Sequence, residues 1–410
     1  MNRRMFVNPA TGQLVEISGL PGAQVAFVPA PLPPVWQWPP QLWPLLKRAH
    51  SALAALGGIG RHLPDPQIIL HPLQTREAVR SSSLEGTYTQ PIQQALFELG
   101  HETLNGAQSG NDATREVWNY GQALRNYYRD RDKQPLSLFL IRQLHGMLMH
   151  GVRGANKEPG RFRQVQNQIG LPPRYVPPPP EHMRDCLGDL ETFLRADQAR
   201  RAKLADPLED DDPLLDPLVN AFLVHYQFEA IHPFLDGNGR VGRLLMSIMI
   251  TEGCRMSAPW LQMSAYFEAR KDDYIDRLFG VSARGEWESW IQFCLEGVVI
   301  QARDTEARCE KLLEIRNDFH SRLTSSGGPL RLASIVDNLF RIPIVTAPLI
   351  QQRYDVKAPT AHNDLARLVR ADIVRETVPQ QRPRAYFCPE ILNVIYDPSD
   401  FSSPSPDGAT

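Results

Sequence analysis

Residues 232–243 read His232-Pro-Phe-Leu-Asp236-Gly-Asn-Gly-Arg240-Val-Gly-Arg243. A histidine can take a proton from a hydroxyl near neutral pH, and an aspartate is an oxygen ligand of the kind that Mg²⁺ prefers beside phosphates. The Gly-Asn-Gly segment lets backbone amides converge on an anion where a helix begins, and the two arginines share one face of that helix. The stretch therefore predicts a site for a nucleoside triphosphate.

The pattern His-x-Phe-x-Asp-Gly-Asn-Gly-Arg-x-x-Arg resembles the signature of Fic proteins, which typically transfer AMP from ATP to a protein hydroxyl, and all eight signature positions match. The resemblance implies a mainly α-helical, Fic-type bundle with a short β-hairpin flap. It also implies that His232 is the general base and that Asp236 holds Mg²⁺. The ATP phosphates are then expected on five further residues, Gly237, Asn238, Gly239, Arg240 and Arg243.

Other activities are known among relatives of this family. One relative is a kinase that carries lysine where Gly239 stands, so Gly239 argues against a kinase. Another relative transfers phosphocholine, and the signature alone leaves that activity open. Removal of AMP from a modified protein and a nucleotide-sensing DNA-binding regulator are the remaining alternatives.

Composition indicates an ordinary soluble protein of two or three domains. The 410 residues are 42% hydrophobic and 22% charged, and the formal net charge of −2 gives no overall attraction to nucleic acid or membrane. No apolar run is long enough to span a bilayer and the start lacks an apolar signal core, so we expect a cytoplasmic protein without membrane contact. The five cysteines lack paired spacing, which predicts neither a disulfide framework nor a zinc site.

Apolar spacing predicts helices through most of the chain. Residues 1–40 are rich in proline and glycine and are expected to form an arm over the body; residues 1–110 then comprise this arm and a helical region. The catalytic core is expected over 111–300. The first predicted helix begins near Gln41 and ends at Gly57-Gly58. Further helices are predicted over 70–83, 90–99, 112–130 and 136–150.

Three polar residues lie on predicted core helices. His145, on the apolar stripe of 136–150, is expected to be a core or capping histidine. His225 and Glu229 are four residues apart on the helix that runs into His232. Because no third metal ligand accompanies them, we interpret them as structural polar partners.

A second motif, Ser81-Ser-Ser-Leu-Glu85-Gly86, follows a helical stretch. It can be an ordinary helix end with Gly86 as left-handed cap. Beside the signature, it resembles the inhibitory helix of Fic proteins, here at about 75–86, whose glutamate pairs with the second arginine of the signature. Glu85 would thus occupy Arg243 and put negative charge where the γ-phosphate of ATP would lie.

Glycine and proline bracket a short extended run between Pro159 and Gly170, which predicts a hairpin. An ordinary surface hairpin is one interpretation. In Fic proteins a hairpin flap stands here and holds the target segment by strand addition. The resemblance implies that the flap comprises Val165, Gln166, Asn167, Gln168 and Ile169.

Tyr266 and Tyr274 follow the signature and are candidates for stacking on adenine, with core packing as the alternative for each. Relatives often carry an amide or a second aromatic residue in this region. Ala269 and Asp273 stand here instead.

The C-terminal part is predicted to be a separate unit. After a connecting helix over 301–324, residues 325–395 are predicted to hold three helices (334–340, 347–354 and 358–370) and two strands (373–377 and 384–387). This order resembles a winged helix-turn-helix. Residues 331–388 carry nine Lys/Arg against five Asp/Glu, hence +4, so DNA binding competes with protein docking or dimerisation. The residues expected to face DNA are Thr360, His362, Asn363 and Arg367 on the recognition helix and Arg382 and Arg384 on the wing. Residues 396–410 are expected to be disordered.

The resulting hypothesis is a Fic-type protein adenylyltransferase restrained by Glu85. Its substrates would be ATP with Mg²⁺ and a Ser, Thr or Tyr hydroxyl of a target protein or of the chain itself. A homodimer is compatible with the sequence.

Overall fold

The helices and strands were obtained from a computed structural model, which describes residues 1–62, 66–103, 112–130, 135–152, 158–203, 216–325, 329–377 and 384–397. The helices are α1 (Trp43–His62), α2 (Pro66–Leu84), α3 (Pro91–Thr103), α4 (Asp112–Asp130), α5 (Leu138–Leu148), α6 (Pro180–Arg201), α7 (Pro217–Ile231), α8 (Asn238–Gly253), α9 (Ser264–Ala269), α10 (Lys271–Arg284), α11 (Trp287–Ser325), α12 (Leu330–Leu339), α13 (Ala347–Tyr354), α14 (Ala358–Arg370) and α15 (Pro389–Ile395). The strands are β1 (Gly12–Glu16), β2 (Val25–Pro29), β3 (Ile344–Thr346), β4 (Arg375–Glu376) and β5 (Ala385–Phe387). The mainly α-helical fold predicted from the sequence is confirmed.

Helices α7 and α8 form the centre of the molecule. Asp216 caps α7, because its Oδ1 accepts the N–H of Leu218 at 2.8 Å, and every residue of α7 except Glu229 is buried. A helix that is apolar on all sides is stable only when surrounded by protein. Helix α8 packs directly against α7 and is also buried along most of its length. The signature loop joins these two helices.

Helix α2 is buried from Ile69 to Leu84 except at His71, and the buried residues include eight polar or charged side chains. It packs against α4, α8 and α9. Glu77 illustrates how its polar groups are satisfied, since the backbone N–H and the hydroxyl of Ser264 both donate to the Glu77 carboxylate. The C-terminal end of α2 brings Glu85 to the signature loop.

The first helix differs from its predicted end at Gly57-Gly58, since α1 continues through both glycines to His62. A glycine inside a helix costs about 1 kcal/mol relative to alanine. Burial of Leu53 and Leu56, on the helix that packs along α11, outweighs this cost.

The N-terminal arm contains a hairpin that the sequence did not predict. Strands β1 and β2 pair antiparallel, from Gly12 opposite Pro29 to Glu16 opposite Val25. β2 is buried throughout, and its Phe27 N–H donates to the carbonyl of Val176 at 2.9 Å. A continuous apolar run of this kind lacks the alternating pattern that indicates a strand. The prediction for residues 1–40 therefore rested on their proline and glycine content.

The segment 158–176, predicted as a hairpin flap, has one isolated antiparallel bridge, between Ile169 and Tyr175. No strand ladder occurs within 158–176. Its backbone instead pairs with other parts of the chain, as in the bond from the Arg163 N–H to the Pro233 carbonyl at 2.9 Å. The prolines that follow have no N–H to donate to a ladder.

The C-terminal unit has the predicted bounds for α13 and α14, followed by the two predicted strands. An additional strand, β3, makes an antiparallel sheet of order β3-β5-β4. Ala361, Leu365 and Leu368 bury one face of α14, while His362 and Asn363 are exposed. The predicted wing tip with Arg382 and the tail beyond Asp397 lie outside the described residues.

Helix α11 runs for 39 residues and includes both the predicted end of the core and the predicted connecting helix. Phe319 on this helix is fully buried, and its ring centroid lies 6.2 Å from that of Phe340. The C-terminal unit is therefore joined to the core by a continuous helix. None of the helices in the described ranges combines the length and the apolar character needed to cross a bilayer.

The Phe319 contact predicts a stability effect. Phe319→Ala removes a fully buried ring and should lower the free energy of unfolding by about 3–5 kcal/mol, measured by urea denaturation. Lys311→Ala, on an exposed turn of the same helix, should change it by less than about 0.5 kcal/mol. Equal stability of the two variants would contradict this packing role.

Candidate active site

His232 ends α7 in a left-handed conformation, with φ 49° and ψ 61°. Its N–H closes the helix on the carbonyl of Phe228 at 2.9 Å, and its side chain, 19% exposed, lines a cleft. Burial and the positive charge of Arg163 lower the pKa of His232 to about 4. The imidazole is thus neutral near pH 7, as a general base must be.

The signature loop is held by side-chain bonds. The Asn238 carboxamide accepts the N–H of Phe234 and donates to the carbonyl of Phe234, both at 2.8 Å. The ring of Phe234 stacks on His145 with centroids 3.7 Å apart. Both polar atoms of the Asn238 side chain therefore stabilise the loop. The backbone N–H groups at the start of α8 are then the groups that can bind an anion.

His145 links two segments around the loop. Its Nε2 donates to the Asp236 carbonyl at 3.0 Å, and its Nδ1 accepts the N–H of Gly160 at 2.8 Å. Burial lowers its pKa to about 4, which fits the neutral tautomer that these two bonds require. The core histidine predicted from the sequence thus also positions the signature loop.

Helix α8 begins at this loop with Gly237, at φ 75°, as its N-cap. Gly237 offers no side chain to the first-turn N–H groups, the arrangement in which a helix start accepts an anion. A carboxylate already approaches this point, because a methyl group at Gly239 would overlap Glu85 Oε1. Glycine at 239 is therefore required for the approach of Glu85.

The two signature arginines have different partners. Arg243, only 1% exposed, donates to the Ser81 hydroxyl and carbonyl at 2.9 and 2.8 Å and to Glu85 Oε1 at 2.7 Å. Arg240 donates instead to Glu116 of α4 at 2.7 Å and is also buried. Arg243 lines the cleft together with Glu85, whereas Arg240 lies behind it against α4.

The ion pair between Glu85 and Arg243 perturbs both groups. Burial would raise the pKa of Glu85, but the charges of Arg243 and Arg240 outweigh it and lower that pKa below its usual value. Burial would likewise lower the pKa of Arg243, and Glu85 reverses this and raises it. Both partners are charged in this state, and Glu85 occupies the guanidinium.

The cleft has a volume of about 900 Å³ including its open mouth. Its lining combines charged and polar side chains with apolar side chains of α10 and of the segment around Ile169 and Tyr175; the charged and polar ones include His232, Glu229, Glu85, Arg243, Arg174 and Lys271. This combination suits a ligand with one anionic and one flat apolar part.

The two candidate tyrosines are separated by the fold. Tyr274 lines the cleft, but its ring stacks on Phe267 at 4.6 Å and its hydroxyl bonds to His225 Nε2 at 2.8 Å. Tyr266 lies in the core against Phe293 and is absent from the cleft lining. Tyr266 thus has the core packing that the sequence left open as its alternative, and adenine stacking is retained as a prediction for Tyr274. His225 pairs with Tyr274, so its predicted partnership with Glu229 is wrong.

Arg163 is a site residue that the sequence did not reveal. It is 2% exposed, and its guanidinium donates to the carbonyls of His232 at 2.9 Å, Val165 at 3.0 Å and Pro178 at 2.6 Å. Burial lowers its pKa to about 10, so it stays cationic at neutral pH. Arg163 thus ties the base to the segment predicted as the flap. Nothing in the local sequence distinguishes it from a surface arginine.

The remaining predicted flap residues are partly exposed, and Asn167 reaches the signature loop by donating to the Phe234 carbonyl at 3.4 Å. The Gln166 side chain donates to the Pro177 carbonyl at 2.8 Å, and the backbone N–H of Gln168 donates to Asn167 Oδ1 at 2.8 Å. Val165 is 58% exposed. The segment is therefore anchored at its base and open along one edge.

Asp236 has the surroundings expected of a metal ligand beside phosphates. One carboxylate oxygen accepts the Gly237 N–H at 2.7 Å, and the side chain is 38% exposed next to the start of α8. Within the described ranges no three His, Cys, Asp or Glu side chains form a metal cluster. A lone carboxylate fits Mg²⁺, which is commonly held by one or two carboxylates together with substrate phosphates.

The chain matches known families over two stretches. A model of the Fic/DOC family matches residues 135–250, and one of the Fic/DOC family N-terminal region matches residues 43–128. The protein adenylyltransferase fic-1 of Caenorhabditis elegans is 34% identical over 94 residues, 23% of this chain and 15% of that protein. The protein adenylyltransferase Fic of Nematostella vectensis is 32% identical over 117 residues, 28% of this chain and 22% of that protein. The matched part is thus less than a quarter of each relative.

A solved structure shares the fold over most of the chain. A Fic family protein from Desulfovibrio desulfuricans is 19% identical with a TM-score of 0.52, and the match covers 87% of this chain and 98% of that chain. The two family matches cover α2 with Glu85 and the signature loop described above. Residues 43–128 and 135–250 therefore match the two regions of the Fic/DOC family, and the fold over most of the chain is that of a Fic family protein.

Proposed function

We propose that this protein is an adenylyltransferase that transfers AMP from ATP to a Ser, Thr or Tyr hydroxyl of a protein. The observation that carries the proposal is one cleft in which a neutral His232 faces a helix start and the buried Arg243. The matched relatives from C. elegans and N. vectensis are named protein adenylyltransferases. Transfer of phosphocholine and removal of AMP have no comparable support.

In the proposed reaction His232 Nε2 takes the proton of the target hydroxyl, and the hydroxyl oxygen forms a bond to the α-phosphorus of ATP. The bond from the α-phosphorus to the bridging oxygen breaks, and pyrophosphate leaves with the electron pair. The amides at the start of α8 stabilise negative charge on the phosphates, and Arg243 binds the distal phosphates once Glu85 has left it. Arg240 contributes positive charge from behind the loop.

Mg²⁺ is assigned to Asp236 in this proposal, where it would neutralise phosphate charge. Asp236 itself is oriented by the Gly237 N–H and lies 3.8 Å from Arg240 Nη2, so its carboxylate is held on the phosphate side of the loop.

Residues 165–169 are proposed to hold the target segment. An exposed edge anchored by Arg163 to the carbonyl of His232 would place a bound backbone at a fixed distance from the base. Backbone pairing would be tolerant of target sequence. A segment of the chain itself could bind in the same way, which makes self-modification part of the proposal.

Glu85 is proposed to restrain this activity. Its carboxylate occupies both the Arg243 guanidinium and the neighbourhood of the α8 start, the two positions where ATP phosphates would bind. A negative charge there competes with the γ-phosphate.

The strength of this restraint would depend on how firmly α2 is docked. Arg80 of α2 donates to Glu268 at 2.9 Å and to Asp397, which follows α15, at 2.6 Å. Arg308 of α11 holds the same Asp397 at 3.0 Å. Asp397 thus fastens the C-terminal unit to the helix that carries Glu85.

The base is tested with His232→Ala, which should bind ATP yet lose transfer by about 10²-fold or more, because the imidazole proposed to take the hydroxyl proton is then missing. Incorporation of labelled AMP and calorimetric ATP binding provide the two measurements. His362→Ala, on the exposed face of α14, is the control and should transfer normally. Wild-type transfer by His232→Ala would exclude the proposed base.

The restraint is tested with Glu85→Gly and Glu85→Gln. Both remove the charge that pairs with Arg243, so each should raise AMP incorporation by about tenfold or more, equivalent to a competing contact of about 1.4 kcal/mol. Rates equal to wild type in both variants would show that Glu85 does not limit ATP binding.

The docking of α2 is tested with Asp397→Ala. Loss of a partly exposed ion pair is worth up to about 1 kcal/mol, so AMP incorporation should rise by about two- to fivefold, with faster amide hydrogen exchange over 81–87. In a chain that also carries Glu85→Gly, Asp397→Ala should raise AMP incorporation no further, because the restraint has already been removed. Asp318→Asn, on α11, is the control and should leave both quantities unchanged. Unchanged hydrogen exchange over 81–87 in Asp397→Ala would refute the role of Asp397 in docking α2.

Several predictions stay open beside this proposal. The winged-helix assignment, DNA binding through Thr360, His362, Asn363, Arg367 and Arg384, homodimer formation and a cytoplasmic location remain predictions from the sequence. Salt-sensitive binding of a DNA duplex by the full chain is the measurement that would support a DNA-binding role.

A further inference from the structure

Glu229, on the last turn of α7, is a carboxyl group in the cleft with no role in the mechanism so far. Its Oε2 lies 3.9 Å from His232 Nδ1, and its side chain is 14% exposed. Its Oε1 is buried and has no hydrogen-bond partner within the described ranges. A methyl group at residue 242 would overlap this Oε1, so α8 approaches α7 at a glycine that leaves room for the carboxyl group.

The His232 side chain, once protonated, would be stabilised by a negative charge close to it. Its Nδ1 is also buried and makes no hydrogen bond to a side chain in the described part of the chain, and the backbone of Glu229 is a polar group near it. When Nε2 takes a proton, the imidazole becomes a cation in a site where burial and Arg163 both oppose positive charge. The charges of Glu85 and Asp236 oppose this effect, and once Glu85 has left the site a further negative charge near His232 would favour proton transfer.

We infer that Glu229 is a positioning residue that orients His232 through Nδ1 and stabilises the imidazolium formed when His232 takes the target's proton. This inference rests on the proposed function. In the step, the hydroxyl O–H bond breaks and the Nε2–H bond forms. Glu229 remains a carboxylate and acts as the counter-ion, so no proton passes to it.

The protonation state of Glu229 determines the pH range in which its carboxylate can stabilise the imidazolium. Burial raises the pKa of Glu229 to about 8; Arg243 opposes the rise and Glu85 reinforces it. The carboxylate form, which stabilises the imidazolium, therefore grows as the pH rises through about 8. Among the described residues, the other charged or titratable groups around the pair are Tyr274 and Lys271 of α10, Arg163, Arg174, Asp236 and, one turn earlier on α7, His225.

The kinetic test compares Glu85→Gly with Glu85→Gly/Glu229→Gln, so that the restraint is absent from both. At about pH 9 the Glu229→Gln change should lower kcat by about tenfold or more with little change in KM for ATP. This ratio should shrink to less than about threefold as the pH falls below the pKa of Glu229, which is lower in this pair than in the wild type because Glu85 no longer reinforces its rise. A structural role would give the same ratio across this pH range. Glu252→Gln, outside the cleft on α8, is the matched control.

A second measurement does not depend on transfer. In the full chain with ¹³C-labelled histidine, the His232 signal, assigned with His232→Gln, should shift near pH 8 as Glu229 ionises, and this shift should be missing in Glu229→Gln. A shift in both proteins, or in neither, would overturn the inference, as would a pH-independent kinetic ratio. Failure of Glu85→Gly to transfer AMP would instead refute the proposed function, while the titration would still test Glu229.

Discussion

The ion pair between Arg243 and Glu85 is the interaction on which the arrangement of the site depends. A guanidinium that is almost completely buried must have its donors satisfied, and Ser81 and Glu85 supply the bonds from the end of α2. Ser81 and Glu85 can reach Arg243 only if α2 lies inside the core. Its polar side chains are accordingly paired with residues of α9 and α11 and with the residue two positions after α15. The deep burial of α2 therefore follows from the need to reach Arg243.

This constraint joins parts of the chain that are far apart in sequence. Ser81 and Glu85 lie more than 150 positions from Arg243, and Asp397 lies more than 300 positions from Arg80. Removing Glu85 from Arg243 would leave a buried cation to be paired by something else. A triphosphate is chemically suited to this because it brings several oxygens of the same charge. In the proposed mechanism, Glu85 and the ATP phosphates would thus satisfy the same guanidinium in turn.

The sequence was informative where a residue's role depends on its neighbours in the chain. The signature loop, Glu85 at a helix end, and the bounds of α4, α13 and α14 all follow from local spacing, caps and turn residues. It was uninformative where the role depends on burial by distant segments. Arg163 resembles any other arginine until the carbonyls of His232 and Pro178 surround it, and α1 crosses two glycines only because α11 covers it. Tyr266 and Tyr274 have the same local character, and tertiary packing alone separates them.

The anchoring of the flap segment has a consequence for how a target would be recognised. Arg163 bonds at once to the carbonyl of His232 and to that of Val165, so the position of the base and the position of the exposed edge are fixed by one rigid, planar group. His145 adds a second connection, between Gly160 and Asp236. A target backbone that pairs with the edge would therefore be placed relative to His232 on one side and to the phosphate loop on the other. Because these connections involve backbone carbonyls and amides, the geometry of transfer would be independent of the side chains that surround the modified residue.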